Sequence, residues 1–408
     1  MTTLTDARLS DPDTFVQGVP YELFKQLRKE APVYWEQLPD GTGYWALTKY
    51  QELTHISQHP ELFSSAKGTN IEDAQGGVEL MIVNADAPRH TKLRGLVSRG
   101  FTPKMVRAME PHVREVTSAI VDNVARKGEC DFVTEVAAEL PLQVIAELIG
   151  IPLEERHYIF DWSNRMIGLD DPEYGHSMEE AHQAAANMLN YAANLRQERR
   201  QNPKNDLVSV LMEAEVGEEP LADMEFNFFF LLLAVAGNET TRNLISGGML
   251  ALMENPDQRD VLLDDPSRIP TAVEEMLRWV TPVMYFRRTA TRDMELRGQT
   301  IRAGEKVAMY YISGNRDEDV FPDAERFNAT RDPNPHLAFG GGGPHFCLGA
   351  SLARLEMRVM FEELLPTFAT YELARPVEWT RSNRHTGIRH LWVRLARSGS
   401  SAHAMPSM

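Results

Sequence analysis

One cysteine stands at the end of a glycine-rich segment, where its sulfur is placed to bind a metal as a thiolate. The segment from His336 to Gly349 contains four consecutive glycines, Gly340 to Gly343, followed by Cys347. Four glycines in a row do not form the interior of a helix or strand, and they let the backbone approach a flat or bulky group closely. The helical pattern of Ala350 to Phe361 begins directly afterwards. The sulfur is therefore expected at a helix N-terminus, where the helix dipole and free amides favour a thiolate.

Other interpretations of this segment are less consistent with the sequence. A phosphate-binding loop would need a Lys-Ser/Thr pair after the glycines, and the G-x-G-x-x-G spacing also fails. A lone cysteine is usually an inert buried residue, which is how we interpret Cys130. Zinc would need three or four ligands, and a covalent c-type haem would need Cys-x-x-Cys-His. Iron held by the Cys347 thiolate, with haem supplying four nitrogens, fits best.

A second candidate site follows a long apolar stretch. The pattern predicts a helix from Asp223 to Met253, and Phe228 to Val235 is apolar on every side, so this helix should be buried. Glu239 and Thr240 come soon afterwards, although burying an unpartnered acid is costly. Thr240 can hydrogen-bond the Ala236 carbonyl and open a notch in the helix. An acid and an alcohol at a notch suggest a proton path and a small binding pocket. A threonine-rich helix kink is the alternative.

Two charged pairs at helical spacing are weaker signals. Glu275 and Arg278 are three residues apart and share a helix face, which alone is typical of an ordinary exposed ion pair. His90 and Arg94 are four residues apart and suit two carboxylates such as the propionates of haem. A surface helix explains His90 and Arg94 about as well.

Most of the chain that positions these residues has the pattern of helices. Apolar residues at three- and four-residue spacing predict helices over Pro103 to Ala125 and Met178 to Arg200. Thr271 and Glu274 fit a capping box that would begin another helix after Pro270. Short alternating pieces predict strands at 33–35, 44–47, 306–311 and 390–395.

The length alone would suggest two or three domains, but the rest of the pattern indicates one globular unit. The 408 residues contain no long linker and no repeat, so we expect a single mainly α domain over 1–396 and a disordered tail over 397–408. A net charge of −17 argues against nucleic acid or an anionic membrane as the main partner. The N-terminus lacks the features of a signal peptide, and the longest apolar run, Phe228 to Gly237, is too short to cross a bilayer. We therefore expect a soluble, cytoplasmic protein without membrane insertion.

Together, the four segments in this order resemble the cytochrome P-450 superfamily, specifically its soluble bacterial branch. The resemblance extends from about Asp13 to Leu395 and implies that family's fold, a helix-rich triangular domain with a minor β-sheet region. The segment from Thr380 to Leu391 is similar to members that act on sterols, terpenoids or other lipid-like molecules.

The resemblance assigns a role to each matching residue. Cys347 matches the proximal ligand of the haem iron, and Glu239 and Thr240 match the acid–alcohol pair of oxygen activation. The residues matched to binding of haem b, iron protoporphyrin IX, are His90, Arg94, Arg288, Phe339, His345 and Gly349. The residues matched to the structural ion-pair cluster are Glu275, Arg278 and Arg326.

The activity implied is insertion of one atom of dioxygen into a C–H bond of a small hydrophobic molecule, such as a steroid, a terpenoid or a lipid. The chain has no flavin or NAD segment, so we expect electrons from a ferredoxin and its reductase, and we expect a monomer. Three alternatives stay open: a biosynthetic hydroxylase of a polyketide or aromatic natural product, a haem-thiolate binding protein without oxidase activity, and a peroxide-driven peroxygenase. The Glu239-Thr240 pair disfavours the last two.

The resemblance also predicts a substrate pocket and a docking surface. Pocket candidates by family position are Ile82, Leu232, Val235, Ala236, Met284 and Ile388, although apolar residues are most often ordinary core. The segment from Ala87 to Met109 has six basic and no acidic side chains. We expect this segment, with Arg354 and Arg358, to dock an acidic ferredoxin near Cys347.

Overall fold

The computed structural model describes residues 8–398 except 74–76, 78–79, 169, 176, 205, 213–214 and 217–218. The loop from Ala66 to Asn84, where pocket residues are expected, is therefore described only in part. The last strand continues through Arg397, which is the first residue of the tail expected at 397–408. Residues 399–408 of that tail lie outside the described residues.

Helices make up most of the described chain, as the sequence pattern predicts. The α-helices are α1 Tyr21–Glu30, α2 Tyr50–Gln58, α3 Arg89–Val97, α4 Pro103–Lys127, α5 Glu139–Ile149, α6 Arg156–Ile167, α7 Met178–Gln201, α8 Leu207–Met212, α9 Asp223–Glu254, α10 Pro256–Asp264, α11 Ile269–Val280, α12 Tyr311–Gly314 and α13 Ala350–Thr367. Within this part of the chain, no helix has both the length and the apolar content needed to cross a membrane.

The strands form small sheets beside the helices. They are β1 Val33–Gln37, β2 Gly43–Leu47, β3 Phe63–Ser64, β4 Glu129–Asp131, β5 Glu215–Val216, β6 Glu219–Pro220, β7 Tyr285–Ala290, β8 Met294–Leu296, β9 Gln299–Ile301, β10 Lys306–Tyr310, β11 Phe368–Leu373, β12 Glu378–Trp379, β13 Ile388–His390 and β14 Trp392–Arg397. The largest sheet has the order β1-β2-β10-β7-β3, with β10 parallel to β2 and the other neighbours antiparallel. A second sheet has the order β11-β14-β4.

Helix α9 is the central element of the helical part. It packs against α5, α6, α7, α11 and α13, and the side chains from Phe226 to Leu231 are buried on every side. This burial confirms the prediction drawn from its apolar stretch. Gly237 allows α5 to pack closely, because a Cβ at this position would lie 2.8 Å from the Ile145 side chain. The cost of a glycine within a helix is thus offset by close packing of two helices.

One predicted helix start is wrong. Helix α11 begins at Ile269 with Arg268 as its N-cap, so Thr271 lies inside the helix and does not cap it. Pro270 fits the first turn because its missing N–H would have no helical acceptor there. Glu274 accepts hydrogen bonds from Arg354 instead of completing a capping box.

Candidate functional site

Cys347 lies in the loop immediately before α13 and borders a large internal cavity. Its sulfur accepts hydrogen bonds from the backbone amides of Gly349 and Ala350, and its own amide donates to the Phe339 carbonyl at 3.0 Å. Burial raises the pKa of the Cys347 thiol and is only partly opposed by these amides, Arg94 and Arg354. The sulfur therefore borders the cavity at a helix N-terminus, as the sequence predicts. Gly349 contributes to this site through its backbone amide, which donates to the sulfur.

The four glycines pack the loop against α2. Gly340, Gly342 and Gly343 have positive φ, and a Cβ on Gly343 would lie 2.0 Å from the Ser57 carbonyl oxygen. A side chain at Gly343 would therefore strain the backbone and overlap the end of α2. The glycines do let the backbone of the loop approach another group closely, and the group that Gly341, Gly342 and Gly343 approach is α2.

The cavity has a volume of about 290 Å³ and mostly apolar walls. One wall is a face of α9 that includes Leu232, Leu233 and Ala236, while the loop with Phe339 and Cys347 forms another. Two further predicted positions, Ile82 and Thr240, also border it. Its apolar lining suits a hydrophobic molecule.

Three predicted pocket residues do not border the cavity. Val235 lies about 100° around α9 from Ala236 and packs against the core. Met284 is buried among the side chains of the sheet-side core, while its neighbours Val283 and Phe286 border the cavity. Ile388 belongs to the main core. Val235, Met284 and Ile388 are therefore core residues and not pocket residues. Which side chains of an element face the cavity depends on how that element is oriented, and the sequence does not show this orientation.

Several cavity residues are absent from the predicted set. Among them are Val83, Phe101, Ile145, Phe229, Leu233, Leu244, Val283 and Phe286. Those on α9 follow three- and four-residue steps from Ala236, so the helical period could have identified them. The others come from loops and elements that are distant in sequence.

Thr240 and Glu239 lie on different sides of α9. The Thr240 hydroxyl donates to the Ala236 carbonyl at 2.9 Å, which confirms the predicted bond, and Thr240 borders the main cavity. Glu239 is buried, and its carboxylate accepts hydrogen bonds from Arg242 and, at 3.1 Å, from Asn243. The acid and the alcohol are adjacent in sequence but face different spaces.

The carboxylate of Glu239 borders a second, polar cavity of about 10 Å³. The polar side chains around it are Asn164, Tyr174, Glu239, Arg242, Asn243, Thr380, Ser382 and His385. The second carboxylate oxygen of Glu239, Nε of Arg242 and the Thr380 hydroxyl are buried and have no hydrogen-bond partner among the described residues. A space of this size holds about one water molecule, and these atoms would give it the partners it needs.

Two histidines and two arginines border the main cavity together. The rings of His90 and His345 lie 4.1 Å apart, and Arg94 donates to the Phe346 carbonyl at 2.5 Å. Arg288 is buried and donates to the Arg287 carbonyl at 2.8 Å. None of the four forms an ion pair with a carboxylate in the described part of the chain. A group of cations and imidazoles without an acidic partner suits an anionic ligand.

The positive charge of Arg94 and Arg288 affects the pKa values of the two neighbouring histidines. Burial lowers the pKa of His90 and of His345, the latter to about 2, and Arg94 and Arg288 lower both further. Both imidazoles therefore favour the neutral form at pH 7. The predicted residues His90, Arg94, Arg288 and His345 are thus brought together, and they fit the two propionates of haem.

The donor set also fits an iron bound to porphyrin. Within the described residues, no group of three or more His, Cys, Asp or Glu side chains is arranged to hold a metal ion. A metal at Cys347 would therefore take its remaining ligands from the cofactor. Phe339 borders the same cavity beside Cys347.

The predicted ion pair of α11 is completely buried. Arg278 donates to both carboxylate oxygens of Glu275 at 2.8 Å, and both side chains have no exposed surface. The third member is Arg331, whose Nε donates to Glu275 at 3.1 Å, and not Arg326. The side chain of Arg326 is 68% exposed, and only its carbonyl oxygen accepts from Arg278 and Arg331. Neither the order nor the spacing of the two arginines shows which one turns inward.

Arg331→Ala is expected to destabilise the protein by about 3–5 kcal/mol, because it removes one partner of a buried carboxylate. Three carbonyl groups, those of Pro322, Asp323 and Arg326, also lose a donor. Arg326→Ala is the matched control and should change stability by less than about 0.5 kcal/mol. Urea denaturation of both variants measures the difference. Equal losses for both variants would contradict the assignment of Arg331.

Two arginines expected at the docking surface already have partners. Arg354 donates to both carboxylate oxygens of Glu274, and Arg358 pairs with Glu110 and Glu362. Both arginines were expected to contribute to ferredoxin docking, and in the structure carboxylates of this chain engage each of them. The pair Arg354–Glu274 connects α13 to α11, and the pair Arg358–Glu110 connects α13 to α4.

Comparisons with known proteins indicate one family. The family model described as Cytochrome P450 matches residues 129–265 and 269–381. A steroid C26-monooxygenase of Rhodococcus jostii is 43% identical over 369 residues, which cover 87% of this chain and 77% of that protein. A methyl-branched lipid omega-hydroxylase of Mycobacterium tuberculosis is 48% identical over 357 residues, covering 84% and 83%. A solved Mycobacterium marinum cytochrome P450 in complex with pseudoionone is 42% identical with a TM-score of 0.87, covering 91% and 94%.

Proposed function

We propose, since the chain belongs to the cytochrome P450 family of monooxygenases, that it hydroxylates an extended hydrophobic molecule of the steroid or branched-lipid class. The observation that carries the proposal is the apolar cavity between Cys347 and the face of α9 with Thr240. A substrate held there would have one end beside Thr240. The names of the relatives, a steroid and a branched-lipid hydroxylase, support this substrate class.

The family uses a haem-iron cofactor, and we assign haem b to this cavity. Cys347 would bind the iron, while His90, Arg94, Arg288 and His345 would bind the propionates. Haem supplies, when bound, the iron chemistry that activates dioxygen. The protein binds and orients haem and substrate, and the apolar walls keep water away from them.

Glu239 and Thr240 are the residues to which we assign proton delivery. The Thr240 hydroxyl, held by the Ala236 carbonyl, faces the main cavity and can pass a proton at its Oγ1. Glu239 faces the polar cavity, where a water can pair with its free carboxylate oxygen. Protons therefore enter from the side of α9 that faces Thr380 and His385. Because the carboxylate faces away from Thr240, transfer requires either a rotation of Glu239 or a bridging water.

A spectral binding screen tests the proposed substrate class. The haem-loaded protein is titrated with steroids, methyl-branched lipids, terpenoids, polyketides and aromatic compounds, and the spin state of the ferric iron is followed. We expect steroids or branched lipids to convert the iron from low to high spin. Conversion by aromatic or polyketide compounds alone would overturn this substrate class. Turnover of the ligands that bind then separates an oxidase from a haem-binding protein.

We also propose that electrons come from a ferredoxin and its reductase, and that ferredoxin binds beside α3 and α4. Lys92, Lys104 and Arg107 are exposed and have no ion pair in the described part of the chain. Their position follows from two contacts: Arg94 of α3 bonds the loop of Cys347, and α4 packs against α13. The side chain of Arg99, in the same basic segment, lies outside what the structure describes. A cytoplasmic location and a monomeric state stay predictions from the sequence.

The double variant Lys104→Glu/Arg107→Glu is expected to raise the KM for ferredoxin about tenfold at low salt, because it reverses part of the complementary charge. The salt dependence of turnover should weaken as well. Lys25→Glu/Arg126→Glu, on α1 and at the other end of α4, changes the net charge equally and is the control. Ferredoxin-dependent turnover at several salt concentrations measures both. An unchanged KM and salt dependence in the first variant would contradict this docking surface.

A further inference from the structure

One face of α9 borders two apolar cavities in succession. From Thr240 toward the N-terminus, residues at three- and four-residue steps, Ala236, Leu233 and Leu232, border the main cavity. Continuing the same steps, Phe229 and Glu225 border a further small cavity of about 10 Å³. Residues at this spacing share a helix face, so the two cavities lie end to end along the helix.

Phe229 and Ile82 border both cavities and therefore form the wall between them. Phe229 is 6% exposed, and Ile82 begins a short 3-10 helix after the partly described loop. The aromatic ring of Phe229 provides most of the bulk of this wall. The main cavity consequently ends at Phe229 even though apolar space continues beyond it.

The space beyond the wall suits hydrocarbon. Its apolar lining consists of Leu80, Ile82, Leu93, Leu96, Val97, Leu211, Leu221 and Phe229. At its far end Glu225 accepts a hydrogen bond from Arg89 at 2.9 Å, so the face of α9 becomes polar at that point. A charged or strongly hydrated group would have to be desolvated to enter the leucine-lined part.

We infer that Phe229, together with Ile82, sets the upper length of the substrate that the protein accepts. Phe229 lies eleven residues before Thr240, which corresponds to about 16 Å along the helix axis. Glu225 lies four residues further, so the space of the Phe229 ring together with the closed space would add up to about 6 Å. This inference rests on the proposed function, because it takes the hydroxylated end of the substrate to lie beside Thr240.

The test uses the haem-loaded protein and a series of saturated primary alcohols from dodecanol to eicosanol. The dissociation constant of each alcohol is measured from the spin-state change of the ferric iron. In Phe229→Ala the tightest-binding alcohol should be longer than in the unchanged protein, by a length of about 6 Å. The longest alcohols should bind at least about tenfold more tightly, since each additional buried methylene contributes about fourfold.

Two further variants distinguish a length limit from a general loosening of the cavity. Leu232→Ala enlarges the main cavity within one helical turn of Phe229 but leaves the wall in place, so it should leave the preferred length unchanged. Phe229→Ala/Leu96→Phe refills the space beyond the wall and should restore the shorter preference. An unchanged preferred length in Phe229→Ala, with the unchanged protein responding to the series, would overturn the inference. A failure of every hydrophobic compound to change the spectrum of the unchanged protein would instead overturn the proposed function.

Discussion

Replacing Glu239 by glutamine is expected to lower the rate of product formation by about 10²–10⁴-fold, the usual contribution of a positioned proton donor. The amide can still accept a hydrogen bond from Asn243, but it cannot carry a proton from the polar cavity to Thr240. Electrons would then leave the active site as hydrogen peroxide instead of hydroxylated product. Substrate binding should change little, since Glu239 does not border the main cavity.

The measurement compares product and hydrogen peroxide formed for each electron pair consumed. Glu254→Gln is the control, because it makes the same change on the same helix at an exposed position outside both cavities. Rates are normalised to the protein that contains haem, since Arg242 loses a buried charge partner in the Glu239 variant. If Glu239→Gln keeps the product yield of the control, Glu239 does not deliver protons.

The second large effect is expected for Cys347→Ser, which should abolish hydroxylation. A thiolate donates electron density to the iron and thereby favours cleavage of the O–O bond, and a serine oxygen does not replace it. The backbone amides of Gly349 and Ala350, which donate to the sulfur, stabilise negative charge at this position. Cys130→Ser is the matched control, because it makes the same substitution at a buried cysteine that does not border the cavity. Hydroxylation that persists in Cys347→Ser would contradict the assignment, and Cys130→Ser should keep its activity.

Elements with a clear hydrophobic period could be predicted well from the sequence. Helices α4, α7 and α9 begin at the predicted residues and end within two residues of the predicted ends. The helix after Cys347 begins where the pattern does, at Ala350, and continues six residues beyond the predicted Phe361. Local signals of this kind depend on neighbouring residues along the chain, so they need no knowledge of the tertiary structure.

The parts that could not be predicted depend on which side chain turns inward. Arg326 and Arg331 are both arginines of one irregular segment, and only tertiary packing places Arg331 on Glu275. Similarly, Arg354 looks free in the sequence because its partner, Glu274, is eighty residues away. Met284 was assigned to the pocket by position, but its side chain lies in the sheet-side core. A one-residue difference along an extended segment is enough to exchange the two faces.

The acid–alcohol pair, Glu239 and Thr240, is a second case in which the sequence does not show which way a side chain faces. Adjacent residues in a helix point about 100° apart, and in this helix Glu239 and Thr240 border different cavities. The polar cavity that receives Glu239 is built from α6, α9 and the segment from Thr380 to Gly387. The sequence identified that segment as a family feature, yet its contact with Glu239 depends on long-range folding.

The most direct test of the account is the absorption of the reduced, haem-loaded protein with carbon monoxide. We predict that the unchanged protein and Cys130→Ser give the red-shifted band of a thiolate-bound haem. Cys347→Ser should bind haem and carbon monoxide but absorb at the shorter wavelength of a haem without a thiolate. A red-shifted band in Cys347→Ser would contradict the claim that the sulfur of Cys347 holds the iron.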